Sequence, residues 1–434
     1  MADLLGFNAI IMATLFVFIL AKKVPAISVL LIVALLIRIF WSLFNYYIGG
    51  LPDSGNDAAY FELLAWTWSQ GDFSTVFSRM NLASYIDPNL DFAYEIKHAY
   101  VLSWVLSLLY NLTDRSLLML QTVSVMFGMG SIYLGWKLSA EIWSEEAAVK
   151  SAWVMALFPS WVLYSVLTMR EVYVYFFMLY GLIGVVKWVK FNKLRYLVRA
   201  IVGFFVATLF HGAMFLGLAV FFVFVFYRNI IALFRSQKNY KQWVIPLIIL
   251  IGFIVGVVVF FQAEINIPYI NHLDDKSLQK ILNRTSFTSY GGSEFPSWII
   301  PHDLWELVWK TPIRVLYFLF SPFPWDISKP SHIIGFIDAV IYFILFSILW
   351  KNREFLFKNQ SAKILATMLA LYILAFSMGI GNSGTALRHR AKMFPIIVVL
   401  AAPFLPVITF RKDKSIRRKD VDELFENKLR VKNK

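Results

Sequence analysis

A chain of 434 residues that is 59% hydrophobic and only 16% charged has too little polar material to cover a soluble globule, so it belongs in a bilayer. Its formal charge of +14 fits basic loops held against anionic lipid, which sets nucleic acid aside as a partner. The lack of cysteine excludes disulfides, thiolate metal sites and cysteine nucleophiles.

Apolar runs that span the hydrocarbon, or nearly so, recur along the chain. They fall roughly at Leu4–Leu20, Val24–Tyr47, Ser116–Leu138, Ser151–Met169, Val172–Lys187, Ala200–Tyr227, Trp243–Phe261, Ile333–Trp350, Lys363–Ile380 and Met393–Phe410. The first lacks a basic start and a small-residue cleavage site, so it reads as a span and not as a cleaved signal peptide. Basic residues mark one side: Lys22 and Lys23; Lys187 through Arg199; Arg228 through Lys241; Lys351 through Lys358; and the tail from Arg411. Both flanks of Ala200–Tyr227 are basic, which predicts a hairpin of two short helices turning near His211-Gly212. Counting it twice gives about eleven spans, with the N-terminus outside and the C-terminus in the cytoplasm. The loop Lys137–Lys150 fits least well, because Glu141, Glu145 and Glu146 outweigh its lysines.

The expected architecture is therefore an all-α polytopic bundle occupying residues 1–410, with a basic cytoplasmic tail over 411–434. A first outer loop covers about 48–115 and a long one about 262–332. The stretches His98–Thr113 and Pro312–Trp325 read as helices lying in the outer interface.

The outer segments carry the chemistry. Between Leu51 and Lys97 stand seven acids (Asp53, Asp57, Glu62, Asp72, Asp87, Asp91 and Glu95) against Arg79 and Lys97, so carboxylates gather at a membrane boundary. Asp57 precedes Tyr60 and apolar residues at helical spacing, which makes it either an acid held at the lipid surface or an N-cap. Asp53 lies one short turn earlier and has the same two readings. Arg170-Glu171 interrupts two apolar runs, where an acid and a base are costly unless paired or used. Arg388-His389-Arg390, with Lys392 beyond, follows Gly381-Asn-Ser-Gly-Thr, a flexible approach able to form an anion nest. Arginine forks match phosphate oxygens, so this segment reads as a site for a lipid phosphate or diphosphate, or as a contact to bulk phospholipid. Arg38 sits inside a span and needs a partner or a route to the surface. His98 opens an interfacial helix, and His211 sits at the hairpin tip, where a buried hydrogen-bonded role competes with a functional one.

Several of these segments resemble the GT-C superfamily of integral-membrane glycosyltransferases that use polyprenyl-phosphate sugars, such as the protein O-mannosyltransferases and lipid A aminoarabinose transferases. The resemblance rests on Asn56-Asp57-Ala-Ala-Tyr60 with Gly71-Asp72 behind it, His98, Tyr133-Leu-Gly-Trp through Trp143, and Phe158-Pro-Ser through Tyr164 to Arg170-Glu171. It covers roughly Val24 to Tyr227 and departs where those enzymes commonly show Asp-Glu before the tyrosine. The resemblance implies that the first-loop acid, Asp57, or Asp53 in its place, is the catalytic base, and that Glu171 is a second acid. The later half, with Ser321-Pro-Phe-Pro-Trp325 and Gly381 to Arg390, looks like bacterial surface-polysaccharide membrane proteins.

What these readings imply is an inverting transferase in the cytoplasmic membrane with its site facing the exterior. It would move a sugar from an undecaprenyl-phosphate donor to a glycan, lipid or protein acceptor. Asp57, Glu171 and Asp53 would act on the acceptor, Arg388, His389, Arg390 and Lys392 would hold the phosphate, and Arg170, His98, Tyr60 and Arg38 would support them. A divalent cation is compatible with the scheme and is not demanded by it. Two alternatives are a repeat-unit polymerase acting on a lipid-diphosphate oligosaccharide, and a flippase or transporter for such a lipid.

Overall fold

Ser116, Ser144, Asp303, Asn359 and Asn382 each turn a side-chain oxygen onto a backbone N–H two or three residues ahead, and each opens a helix. The structure, a computed structural model, describes residues 2–79, 94–234, 251–252 and 293–406. Among the described residues it is built of helices, with no strand beyond a single bridge between Glu294 and Asn382. The helices are α1 (Ala2–Lys23), α2 (Ser28–Tyr47), α3 (Asp57–Trp68), α4 (Phe73–Ser78), α5 (Tyr94–Leu112), α6 (Leu117–Ile142), α7 (Glu145–Leu157) and α8 (Pro159–Val166). They continue as α9 (Arg170–Phe191), α10 (Leu194–Phe210), α11 (Phe215–Phe234), α12 (Leu304–Phe320), α13 (Pro330–Lys351), α14 (Arg353–Lys358), α15 (Gln360–Gly379) and α16 (Ser383–Ala401).

Six helices among the described residues are long and apolar enough to cross a membrane: α1, α2, α6, α9, α13 and α15. The bent pair α7–α8 makes a seventh if it is taken as one span. The chain is thus a multi-pass membrane protein, and the described residues alone hold fewer such helices than the eleven expected of the whole chain. Trp243–Phe261 lies almost wholly outside the described residues. The expected straight span Ser151–Met169 is broken, because Pro159 cannot continue α7 and the chain bends by 61° at Phe158. The segment read as a flexible Gly381–Thr385 approach followed by Arg388 to Lys392 is mostly the first part of α16, whose Arg388, Arg390 and Lys392 hold its hydropathy down. Likewise α12 runs through Pro312 within what was expected to be loop and interface.

The hairpin at His211 is present. A side chain on Gly217 would run into the ring of Phe204, which only a chain folded back on itself allows. Arg228 then returns to the far end of α9, donating from Nη1 to the Val189 carbonyl at 3.0 Å. Glycines let α9 and α10 touch: a Cβ on Gly203 would meet the backbone of Gly181, and one on Gly184 the backbone of Ala200. Glu141 sits at this same end and pairs with Lys187 (3.2 Å) and Lys190 (3.5 Å), which accounts for acids in an otherwise basic region. At the opposite end, Tyr46 donates to Asp3, so the start of α1 and the end of α2 lie together, and the chain from there leads to Asp53. Helices α6 and α9 are the most enclosed spans and α1 and α13 the least.

Candidate functional site

After α2 the chain turns through Gly49 and Gly50, both at positive φ, into Asp53, which holds a left-handed φ of 66° that a non-glycine residue rarely adopts. That turn lifts Asp53 and the first residue of α3, Asp57, to the same cation. Arg388, in the second turn of α16, donates from Nε to Asp53 Oδ2 at 3.0 Å and from Nη2 to Asp53 Oδ1 at 2.6 Å. Its remaining nitrogen, Nη1, holds Asp57. Asp57 is therefore an ion-pair partner and not a cap. The side chains of Asp53 and Arg388 keep 21% of their surface and that of Asp57 keeps 32%, so all three remain partly exposed.

Four residues on, Lys392 faces the same side of α16. It is fully buried, 3.2 Å from Glu171 Oε1, and its Nζ lies 3.2 Å from His389 Nδ1. Arg170 Nε lies 3.9 Å from the same Glu171 oxygen. His389 packs between Phe376 and His211, with ring centroids at 4.5 and 5.0 Å. The turn carrying Arg170 is tied to α3 by Thr168, which donates to the Ala58 carbonyl at 2.8 Å. Tyr164 of α8 lies within electrostatic reach of Asp53, Arg388 and Glu171.

Thus Asp53, Asp57, Arg170, Glu171, Arg388, His389 and Lys392 meet at one end of the bundle. Arg390 does not join them. Two residues from Arg388 on a helix is a rotation of about 200°, and Arg390 points the other way, donating to the Leu319 carbonyl at 2.8 Å beneath the Tyr342 ring. Arg38 is also apart. It donates to Ser165 Oγ (2.9 Å) and to the carbonyls of Ala156 (3.0 Å) and Ala34 (3.2 Å), so it caps a carbonyl left by the α7–α8 bend. Tyr60 lies half-buried on α3, its N–H bonded to the Asn56 carbonyl. His98 falls on α5, but its side chain lies outside the described residues. The expected anion nest is partly spent: Ser383 N–H bonds Ser293 and Thr385 N–H bonds the Asn382 side chain.

One cluster escaped sequence reasoning. Glu62, on the inner face of α3, takes a two-pronged bond from Arg115, 2.9 Å at each contact, and another from Tyr110 at 2.8 Å. These bonds hold the Arg115 guanidinium above its usual range. Nearby, Thr75 donates to Asp72 and holds that carboxyl below the usual range while Asp72 caps α4.

Among the described residues no group of three His, Asp or Glu side chains is arranged to hold a metal ion. A cavity of about 510 Å³ opens at the far end of α9, lined by Val189, Lys190, Phe191, Asn359, Gln360 and Ser361. It is separated from Glu171 by nearly the whole of that 22-residue helix, about 30 Å. No family model, curated protein or solved structure matches the chain. What the fold defines is a multi-pass helical membrane protein carrying a partly exposed two-acid, one-arginine fork over a buried lysine–glutamate pair.

Proposed function

We propose that this protein is a GT-C-like membrane glycosyltransferase that takes a sugar from a polyprenyl-phosphate donor at the exterior face of the cytoplasmic membrane, in cell-surface glycan assembly. One observation carries the reading: two carboxylates and a fork-shaped cation, drawn from opposite ends of the sequence, share one partly exposed position at a helix-bundle end. The lysines and arginines at the other end (Lys187, Lys190, Arg195 and Arg228) support its orientation toward the exterior.

In this reading the donor phosphate competes for Arg388, whose guanidinium suits phosphate oxygens as well as carboxylates. Asp57, released from its cation, accepts the proton of the acceptor hydroxyl. The hydroxyl oxygen bonds to the anomeric carbon as the bond from that carbon to phosphate oxygen breaks, and the electron pair leaves on the phosphate beside Arg388. Attack opposite the leaving group inverts the configuration. Glu171, closed against Lys392, positions α16 and hence Arg388, and is not itself a base.

The test is loss of label from a panel of radiolabelled polyprenyl-phosphate sugars incubated with purified protein and candidate acceptors. Wild type should consume one donor and Asp57→Asn none, at equal expression. Survival of every donor with wild type, or full turnover by Asp57→Asn, would end this scheme.

A further inference from the structure

On the face of α16 turned away from the fork, a second polar group lies inside the bundle. Asp338, fully buried on the inner stripe of α13 (Asp338, Tyr342, Leu345 and Leu349), sits opposite Ser160 of α8 and Arg390 of α16. Tyr342 is within reach of both charges, and so is Tyr164. The other side of α13 is apolar and exposed at Ile333, Ile337, Val340, Phe343 and Ile344, which places these polar groups behind a lipid-facing helix.

Their bonding does not close. Nε and Nη2 of Arg390 and the hydroxyls of Tyr164 and Tyr342 have no hydrogen-bond partner, while the Asp338 carboxylate has Ser160 beside it. An isolated charge or a lone hydroxyl costs several kcal/mol in such a place unless something satisfies it. The occupant must accept from a guanidinium and tyrosines and donate to a carboxylate. A metal cation is repelled by Arg390 and an anion by Asp338. A small neutral molecule that both donates and accepts fits.

We infer that the space between α8, α13 and α16 is an internal water site, bridging Asp338 to Arg390 and reaching Tyr164. At about three hydrogen bonds per buried water, the four unpartnered atoms accommodate on the order of one or two molecules. Tyr164 is the hinge of the arrangement, because it also faces Asp53, Arg388 and Glu171. The water therefore continues the exposed fork inward, past α16, and gives this polar interior a route to exchange with solvent. This inference does not depend on the proposed reaction.

Pulsed X-ray radiolysis of the full chain in lipid nanodiscs prepared in oxygen-labelled water tests it, since hydroxyl radicals form where water is held. Tyr164 and Tyr342 should take up labelled oxygen several-fold faster than Tyr372, which is equally buried but bonds its hydroxyl to the Met214 carbonyl at 3.0 Å. Labelling of either Tyr164 or Tyr342 at the rate of Tyr372 overturns the inference. In Asp338→Leu the Tyr342 rate should fall while that of Tyr372 stays constant. An unchanged Tyr342 rate in a monodisperse variant would place the water elsewhere, and the wild-type comparison decides even if that variant fails to fold.

Discussion

Arg388 and Asp53 meet as a fork, Nε on one carboxylate oxygen at 3.0 Å and Nη2 on the other at 2.6 Å, across 335 positions of sequence. A lysine there has one nitrogen and cannot span the carboxylate while also holding Asp57. Arg388→Lys should therefore cost about 1 kcal/mol of stability, less than a buried charged hydrogen bond because the site is partly exposed. If the arginine receives the donor phosphate, the same change should lower donor turnover by about 100-fold, as loss of one electrostatic stabiliser does. Thermal unfolding and label release read the two effects separately. Unchanged turnover would leave the fork a structural clamp between α3 and α16.

One turn inward the balance is different. Lys392 and Glu171 are buried, so removing one charge strands the other in a site with little water. Lys392→Met should destabilise by about 3–5 kcal/mol. The double variant Glu171→Leu/Lys392→Met removes the stranded charge and should recover much of the folded yield, measured as the monodisperse fraction after heating. A double variant no better than the single one would show that Glu171 is satisfied by Arg170 instead.

Much of this site could be read before folding because each part breaks a local rule. Asp53 and Asp57 follow an apolar run at once, Arg170-Glu171 interrupts two such runs, and Arg388 puts a cation where the charge pattern called for none. The hairpin at His211 was legible because basic residues flank it on both sides. What escaped was angular: residues 388, 390 and 392 look like one cluster as a string, and only their place on a helix sends Arg390 to the opposite face. That helix was hidden because its charges lower the hydropathy of its first three turns. Pairings across distance, such as Glu62 with Arg115, leave no local trace at all.

That pairing carries its own prediction. Glu62 is buried while Arg115 is nearly half exposed, so the energy lies in keeping the acid satisfied. Arg115→Ala leaves Glu62 with Tyr110 as its remaining bonded partner among the contacts described above, and should cost about 1–3 kcal/mol. Glu62→Gln should cost less, since the amide oxygen still accepts from one of its donors. The thermal midpoints of the two variants give the order, and a reversed order would move the anchor of α3 away from Glu62.

The last relationship joins two helices through a missing hydrogen. Pro395 lies inside α16 and has no N–H, so the carbonyl of Ala391, four residues back, has no helical donor. Trp161 supplies one: its indole N–H donates to that carbonyl at 2.8 Å, while its ring stacks on Tyr175 at 4.2 Å. Trp161→Phe should therefore lose both packing and a buried hydrogen bond. In a Pro395→Ala background the helix can donate to Ala391 itself, so the same substitution should cost about 1 kcal/mol less than it does in wild type. A double-mutant cycle on thermal or denaturant unfolding measures the difference. Equal costs in the two backgrounds would mean that the indole contributes through its ring alone, and that water or strain, not Trp161, answers the carbonyl freed by Pro395.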